Sequence, residues 1–186
     1  MIGKFSHILI IILLCSFVVG LELADSDTEI PVEYQVKAAF IDNFIKFVDW
    51  PDAAFPDSHS PVTISVLGGT FLTAALKAIE DVPVKGRHLS IHAIKGLADL
   101  RPSHILFVSS SEKDQLNEIL QSVKDTSVLT VGEVEGFCDK GGIINFILVD
   151  NKVRFEINPD AAHKASLVIS SKLLRLATIV RTQGSN

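Results

Sequence analysis

The sequence predicts an α/β fold with a single domain: a mostly parallel sheet of five to six strands flanked by helices, with a C-terminal antiparallel hairpin at the sheet edge. Short runs rich in Val and Ile alternate with segments of helical period, and strands separated by helices imply crossover connections between parallel strands. Asp150 and Asn151, which tolerate positive φ, join the last two apolar runs and predict the hairpin. No internal repeat or second composition regime divides the chain, so one domain is expected.

An amphipathic helix is predicted at Pro31–Trp50, before the first strand, because apolar residues recur there at helical spacing. Pro31 suits the first turn of a helix, and Pro51 disfavours helical backbone at the residue before it. The other predicted helices are Phe71–Glu80, Glu112–Val123, one that starts at Pro159 and one from Ser171 to about Val180. The predicted N-caps of the last three are Ser111, Asn158 and Ser170.

Short apolar runs between the helices predict the strands. The run Leu89–Ile94 alternates apolar and polar residues, which indicates a position near a sheet edge. The run Ile143–Val149 has Asn145 as its one polar residue and predicts a buried strand. The predicted strands are Val62–Leu67, Leu89–Ile94, Ile105–Val108, Val128–Val131, Ile143–Val149 and Val153–Ile157.

The first residues match the pattern of a secretory signal peptide. Lys4 precedes the largely apolar run Ile8–Val19, whose 12 residues are fewer than the roughly 20 that a membrane-spanning helix needs. We predict cleavage after Gly20, a linker at 21–30, a domain at 31–181 and a disordered tail at 182–186. The mature chain is therefore expected to be exported.

Charge and cysteine content narrow the choice of partner. Without Lys4, the mature chain has 16 basic against 22 acidic residues, a net charge of −6 that makes nucleic acid a poor partner. Cys15 lies in the predicted signal peptide, so Cys138 is the single cysteine of the mature chain and no disulfide within that chain is possible. We expect the lone thiol to be buried.

The sequence contains no recognisable catalytic motif. Ser109–Ser111 follow a strand but lack the flanking glycines of a nucleophile elbow. Gly68 and Gly69 lie between a strand and a helix, as in phosphate-binding loops, but the spacing of the dinucleotide and P-loop motifs is missing. A role in backbone geometry is favoured for these glycines.

Metal binding has little support either. His88 and His92 share a face of one strand, but their Cα atoms would stand about 13 Å apart, too far for common zinc ligands. We therefore expect no catalytic residue, no metal and no cofactor. A periplasmic hydrolase stays as an alternative, and it would require the fold to bring scattered His, Asp or Ser residues together.

A series of motifs extends over nearly all of the mature chain. They are Glu33–Ile41 with Asn43–Phe47, Trp50-Pro51, Gly86-Arg87, His104–Phe107, Val128–Gly132, Glu135–Phe137, Gly141–Phe146, Arg154–Asn158 and Ser170–Leu174. In this order the motifs resemble the YfiR-like periplasmic proteins, also called the YfiR/HmsC family or the DUF4154 domain.

The resemblance implies a periplasmic repressor that binds the periplasmic domain of an inner-membrane diguanylate cyclase and lowers cyclic di-GMP synthesis and biofilm formation. It also implies a homodimer and capture by an outer-membrane, peptidoglycan-associated lipoprotein. Asp42 stands where relatives often carry Tyr, and Asn145 where some carry a cysteine that could pair with the Cys138 position, so their disulfide control is not expected here. A sensor or solute-binding accessory of a histidine kinase or a TonB-linked transport system remains the alternative.

Exposed aromatic and charged side chains are the usual anchors of protein interfaces. On that ground we expect a partner or ligand to contact Trp50, Arg87, Arg154, Glu156 and Arg175. Structural roles compete with this interpretation, because Trp50 could close the end of its helix and charged residues on an edge strand prevent unwanted pairing.

Overall fold

A computed structural model describes residues 29–181. The predicted signal peptide, most of the predicted linker and the predicted tail lie outside the described residues. Within 29–181 the chain forms one α/β domain with a seven-stranded sheet between helices, which confirms the predicted fold class. None of the helices described in this range is long and apolar enough to cross a bilayer.

The strands that the structure describes differ widely in length. They are β1 Val48–Asp49, β2 Val62–Leu67, β3 Leu89–Ile94, β4 Ile105–Val108, β5 Leu129–Gly132, β6 Ile144–Val149, β7 Lys152–Ile157, β8 Val168–Ile169 and β9 Thr178–Ile179. The large sheet has the order β3-β2-β4-β5-β6-β7-β9, and its first five strands are parallel. β7 runs antiparallel to β6, β9 lies parallel to β7, and β1 pairs with β8 in a separate small sheet.

Helices cover both faces of the sheet. They are α1 Val32–Phe47, α2 Thr70–Lys77, α3 Leu116–Ser122, α4 Pro159–Lys164 and α5 Ser171–Leu174, with 3₁₀ helices at Asp52–Ala54, Leu97–Asp99 and Ser110–Gln115. One core cluster contains residues of α1, α2, α4 and α5, and the other contains residues of α3. Burial from both sides explains why every residue of β4 is apolar and buried.

Helix α1 packs through an aromatic face. The rings of Phe40 and Phe44 meet those of Phe146 on β6 and Phe155 on β7, with centroids 5.2 to 6.2 Å apart. Burying each such ring contributes about 1.5–3 kcal/mol. The helix ends at Phe47, earlier than predicted, because the next residues leave the helix to pair with β8.

Several local predictions are confirmed. The bounds of β2, β3 and β4 agree with the predicted runs, and β3 lies at the edge of the sheet. Asp150 and Asn151 adopt φ of 51° and 57° in the hairpin turn. The Asn158 side chain caps α4 by accepting a hydrogen bond from the Ala161 amide, and the Ser170 hydroxyl caps α5.

Two helix predictions need correction. The last helix was predicted to run from Ser171 to about Val180 but ends at Leu174, because Thr178–Ile179 form β9 beside β7. The hairpin therefore lies one strand inside the edge, and the sheet has one strand more than predicted. Ser109, not Ser111, caps the turn after β4, and that turn begins as a 3₁₀ helix before α3.

The prediction that the whole of β6 is buried is wrong for its second half. Leu148 and Val149 are 58% and 46% exposed. β5 ends at Gly132 opposite Asn145, so the rest of β6 has β7 as its strand neighbour. The β6–β7 hairpin consequently projects past the carboxyl edge of the sheet.

Candidate binding sites at the two edges of the sheet

The strand order reverses between β2 and β4, since β3 lies on one side of β2 and β4 on the other. In open α/β sheets, ligands commonly bind outside the carboxyl ends of the strands at such a switch point. Here Gly68 and Gly69 follow β2, Ser109 follows β4 and Glu133 follows β5. These residues define the first candidate site.

This carboxyl edge contains a buried lysine held between two carboxylates. Nζ of Lys37 on α1 lies 2.6 Å from Oε2 of Glu133 and 2.6 Å from Oε1 of Glu33. Glu133 also accepts hydrogen bonds from the Ser109 hydroxyl at 3.1 Å and the Ser110 amide at 3.3 Å. The network fastens α1 to the ends of β4 and β5.

The ammonium of Lys37 is well compensated. Burial alone would lower the pKa of Lys37, but its hydrogen bonds to Glu133 and Glu33 outweigh that effect and raise the pKa. The ammonium also lies 4.7 Å from the centroid of the Tyr34 ring. Burial and the nearby Glu133 carboxylate raise the pKa of Tyr34. The lysine is thus charged at neutral pH, and its charge is used within the domain.

The two glycines at the switch point are explained by backbone geometry. Gly68 has φ of 75°, and a side chain there would overlap the Ser111 hydroxyl and the Glu112 carboxylate. Ser111 donates a hydrogen bond to that carboxylate at 2.8 Å. The adjoining pocket of about 500 Å³ is lined by Lys77 and Lys95 as well as by Glu112. The structure favours the backbone role predicted for these glycines.

The opposite, amino edge of the sheet contains a stack of planar side chains. The His104 ring lies parallel to the Phe55 ring at 4.1 Å, and the Arg87 guanidinium carbon lies 4.0 Å from the Phe55 centroid. Trp50 packs edge-on against both rings at 6.4 Å. Trp50 and Arg87, two of the predicted contact residues, are therefore brought together here.

Hydrogen bonds fix the two polar members of this stack. Nδ1 of His104 accepts from the Thr63 amide at 3.0 Å, and its Nε2 lies 3.0 Å from the Ala54 carbonyl oxygen, so Nε2 carries the proton. Burial lowers the pKa of His104, against the contrary effect of the Ala54 carbonyl. Nη1 of Arg87 donates to the carbonyl oxygens of Asp57 and Ser60 at 2.9 and 2.6 Å.

A pocket of about 350 Å³ opens beside this stack and is lined in part by Trp50, Phe55, Lys85 and Arg87. Nζ of Lys85 lies 2.7 Å from a carboxylate oxygen of Asp49 in the pocket wall. The indole nitrogen of Trp50 is buried and has no hydrogen-bond partner within residues 29–181. Because this atom is sealed from solvent, an occupant of the pocket would not reach it.

The other three predicted contact residues lie apart from this pocket. Arg154 and Arg175 are exposed, on β7 and directly after α5. Glu156 on β7 is half-buried and accepts a hydrogen bond from the Asn145 side chain at 3.3 Å. The Asn145 oxygen accepts from the Val134 amide at 3.1 Å, as expected for a buried polar group. Asn145 and Glu156 thus serve the interior of the domain.

Cys138, the one cysteine among residues 29–181, is buried, as predicted. Burial, with smaller contributions from Glu156 and Asp139, raises the pKa of Cys138 to about 12. The thiol is therefore protonated and poorly nucleophilic at neutral pH. Within the described range 29–181, no cluster of three or more His, Cys, Asp or Glu could hold a metal ion.

The sequence prediction omitted four residues that organise these edges: Lys37, Phe55, His104 and Glu133. A signal existed for Lys37, because it shares a helix face with Ile41 and Phe44 and follows Glu33 by four residues. Glu133, Phe55 and His104 gave no such signal. They lie in loops or at a strand end, where periodicity carries no information.

Comparisons with known proteins show which family and which solved structure the chain resembles. Residues 34–178 match the family model described as YfiR/HmsC-like, DUF4154. A crystal structure of a conserved domain protein from Vibrio cholerae O1 biovar El Tor strain N16961 is similar, with a TM-score of 0.51 and 12% identity over 78% of this chain. At that identity the likeness shows the fold alone, and this chain spans 59% of the Vibrio chain. The search of curated proteins found no match.

Proposed function

Because the chain belongs to the YfiR/HmsC-like family, as its motifs predicted, we propose that it represses an inner-membrane diguanylate cyclase by binding the periplasmic domain of that enzyme. The observation that carries the proposal is the family match over residues 34–178, which covers most of the described domain. At the level of the family, this match supports a periplasmic regulator of diguanylate cyclase.

The mechanism requires only binding energy. A protein outside the membrane can change catalysis inside by binding one conformation of a membrane-spanning partner more tightly than another. Moving a partner from almost fully active to almost fully inactive takes about 5.5 kcal/mol of differential affinity. An ordinary interface of about 1,600 Å² can supply that energy without any reacting residue.

The described site geometry fits a protein that works through surface contact. Lys37 and Glu133 at the carboxyl edge, and Arg87 and His104 at the amino edge, are bonded to other groups of the domain. The hydroxyl of Ser109 does touch a carboxylate, but that carboxylate is shared with the ammonium of Lys37. These groups hold the domain in shape and leave its surface to bind a partner.

Deleting the gene and measuring cyclic di-GMP tests the proposal. We expect the nucleotide level to rise, and the full-length gene to restore the lower level. A gene that lacks residues 2–20 is the matched control, because it encodes the same domain without the predicted signal peptide. That version should fail to restore the lower level. An unchanged cyclic di-GMP level after deletion would contradict repression.

We further propose a homodimer that is captured by an outer-membrane, peptidoglycan-associated lipoprotein, as the family resemblance implies. Sedimentation equilibrium of the purified mature protein measures the first property. Co-purification with a tagged chain from envelope extract measures the second. A monomer at all accessible concentrations, or a purified complex without such a lipoprotein, would contradict the corresponding part.

A further inference from the structure

A groove of about 510 Å³ lies between α1 and the β6–β7 hairpin. Its lining includes Val32 and Val36 of α1, Leu148 of β6, and Lys152 and Arg154 of β7. We call it the hairpin groove. It differs from the two sites described above because Val32, Val36, Leu148, Lys152 and Arg154 of its lining are exposed to solvent.

Three apolar side chains of the hairpin groove are unusually exposed. Val32 is 72%, Leu148 58% and Val36 38% accessible. Leu148 lies opposite Val153, whose side chain belongs to the core on the α1 side of the sheet. The apolar wall of the groove is therefore continuous with that core. Contiguous exposed apolar surface of this kind commonly marks an interaction site.

The outer backbone of β7 is open along this groove. β9 pairs with Glu156 and Ile157 only, so Lys152–Phe155 have no strand neighbour on that side within the described residues. An open strand edge is a template on which an extended peptide can form main-chain hydrogen bonds. The groove thus offers backbone groups as well as apolar contacts.

The charges of the groove are not neutralised by ion pairs. Among residues 29–181, neither Lys152 nor Arg154 forms a salt bridge, and Arg154 donates only to the neighbouring Val153 carbonyl. Glu33, the acidic residue of the lining, is held by Lys37 at 2.6 Å. In a chain of net charge −5, this local excess of positive charge favours a ligand that carries carboxylates.

We propose that the hairpin groove binds an extended segment of a partner protein in which apolar and acidic residues alternate, and that this segment adds as a strand to the open edge of β7. Lys152 and Arg154 point to one face of the sheet and Val153 to the other, so successive side chains of an added strand meet opposite environments. Apolar side chains face Val36 and Leu148, and carboxylates face the cations. If the partner is the cyclase, the inference rests on the proposed function.

Crosslinking in cells at position 148 tests the proposal. The full-length chain is expressed with the photoreactive residue p-benzoylphenylalanine in place of Leu148, and in a second strain in place of Val82. The two side chains are equally exposed, at 58%, but Val82 lies outside the groove. After irradiation, crosslinked peptides are identified by mass spectrometry. We expect position 148, and not position 82, to join an envelope protein through a segment of alternating apolar and acidic residues.

Charge reversal at the groove distinguishes specific binding from non-specific crosslinking. With Lys152→Glu and Arg154→Glu, the yield at position 148 should fall about tenfold, because attraction becomes repulsion at both cations. Lys113→Glu with Lys140→Glu, two exposed lysines outside the groove, should leave the yield unchanged. Thermal unfolding of each purified variant verifies that the domain is folded.

Each other outcome overturns the inference. Three of these outcomes concern yield: no crosslinked product, equal products at positions 148 and 82, or a yield that charge reversal does not change. Two concern the occupant: a crosslink to a second copy of the chain, or a crosslink to Leu21–Asp27 of the same chain, whose composition is also apolar and acidic. The proposed function is decided separately. An acidic segment of a protein other than a diguanylate cyclase would uphold the groove and contradict the cyclase as partner. A rise of cyclic di-GMP on deletion without a crosslinked product at position 148 would support the proposed function and contradict the groove.

Discussion

At the carboxyl edge of the sheet, α1 is fastened by a buried ammonium between two carboxylates, whereas the amino edge is held by a stack of planar groups around His104. Lys37 pairs with Glu33, one turn away on the same face of α1, and with Glu133, directly after β5. His104 is kept uncharged and bonds to backbone groups of Thr63 and Ala54. The carboxyl edge depends on a buried ion pair, and the amino edge depends on an uncharged imidazole at its centre.

This difference predicts unequal responses to substitution and to pH. Removing one member of a buried ion pair leaves a charge without its partner, which is strongly destabilising. Removing a ring from a stack loses contact area and one or two hydrogen bonds, which is a smaller loss. Protonation of His104 would place a charge where burial disfavours it, so the amino edge should lose stability as the pH falls below 6.5.

Glu133→Gln should have the largest effect on stability. The ammonium of Lys37 would keep only Glu33, whose side chain is 38% exposed. We expect the free energy of unfolding to fall by about 3 kcal/mol, measured by urea denaturation. A change below about 0.5 kcal/mol would show that the network contributes nothing beyond an ordinary surface pair.

Two further variants sharpen this result. Lys37→Met combined with Glu133→Gln removes both charges of the pair and should recover most of the lost stability. Lys46→Met breaks the exposed ion pair with Asp42 on the same helix, where the side chains are 46% and 21% accessible. We expect that control to cost about 0.5 kcal/mol or less.

His104→Ala should have the second largest effect. The substitution removes the ring stacked on Phe55 and leaves the Thr63 amide and the Ala54 carbonyl without their side-chain partner. We expect a loss of about 2 kcal/mol at pH 7 in the same urea assay. His163→Ala, at an exposed position on α4, is the matched control and should change stability little.

The pH dependence of this loss tests the role of burial. The pKa of His104 is lower in the folded chain than the unfolded value of 6.5, so the unfolded chain binds more protons between the two values. The contribution of His104 to stability is therefore present above pH 6.5 and declines as the pH falls toward the folded pKa. The difference between wild type and His104→Ala should shrink from pH 7 to pH 5. A constant difference would contradict the burial effect.

The fold could be predicted where periodicity is strong. β2, β3 and β4 are apolar runs bounded by polar or Gly residues, and their predicted bounds agree with the structure. The segment 171–180 was predicted as one helix but contains a helical turn and a two-residue strand. Both are too short to show a period in the sequence. The exposure of Leu148 could not be predicted from the sequence of β6 either, because it depends on where the neighbouring strand β5 ends.

The candidate sites were less predictable than the fold. Trp50 and Arg87 were identified as possible contacts, but Phe55 and His104, which bring them together, come from two different loops. Glu156 was predicted as a contact residue together with Arg154, and the structure shows it bonded to the buried Asn145. Such partnerships arise from chain segments far apart in sequence, and only the folded structure brings them together.

Arg87→Lys should have the smallest effect and is the sharpest probe of the stacked edge. Lysine keeps the positive charge but loses the plane that lies over the Phe55 ring and the Nη1 group that donates to the Asp57 and Ser60 carbonyls. We expect a loss of about 0.5–1 kcal/mol in urea denaturation, because the site is partly exposed. Arg101→Lys, at an exposed position that contacts no ring, should change stability by less than about 0.3 kcal/mol. If both variants behave alike, the Arg87 guanidinium adds no stability to the stack, and the His104, Phe55 and Trp50 rings hold the amino edge.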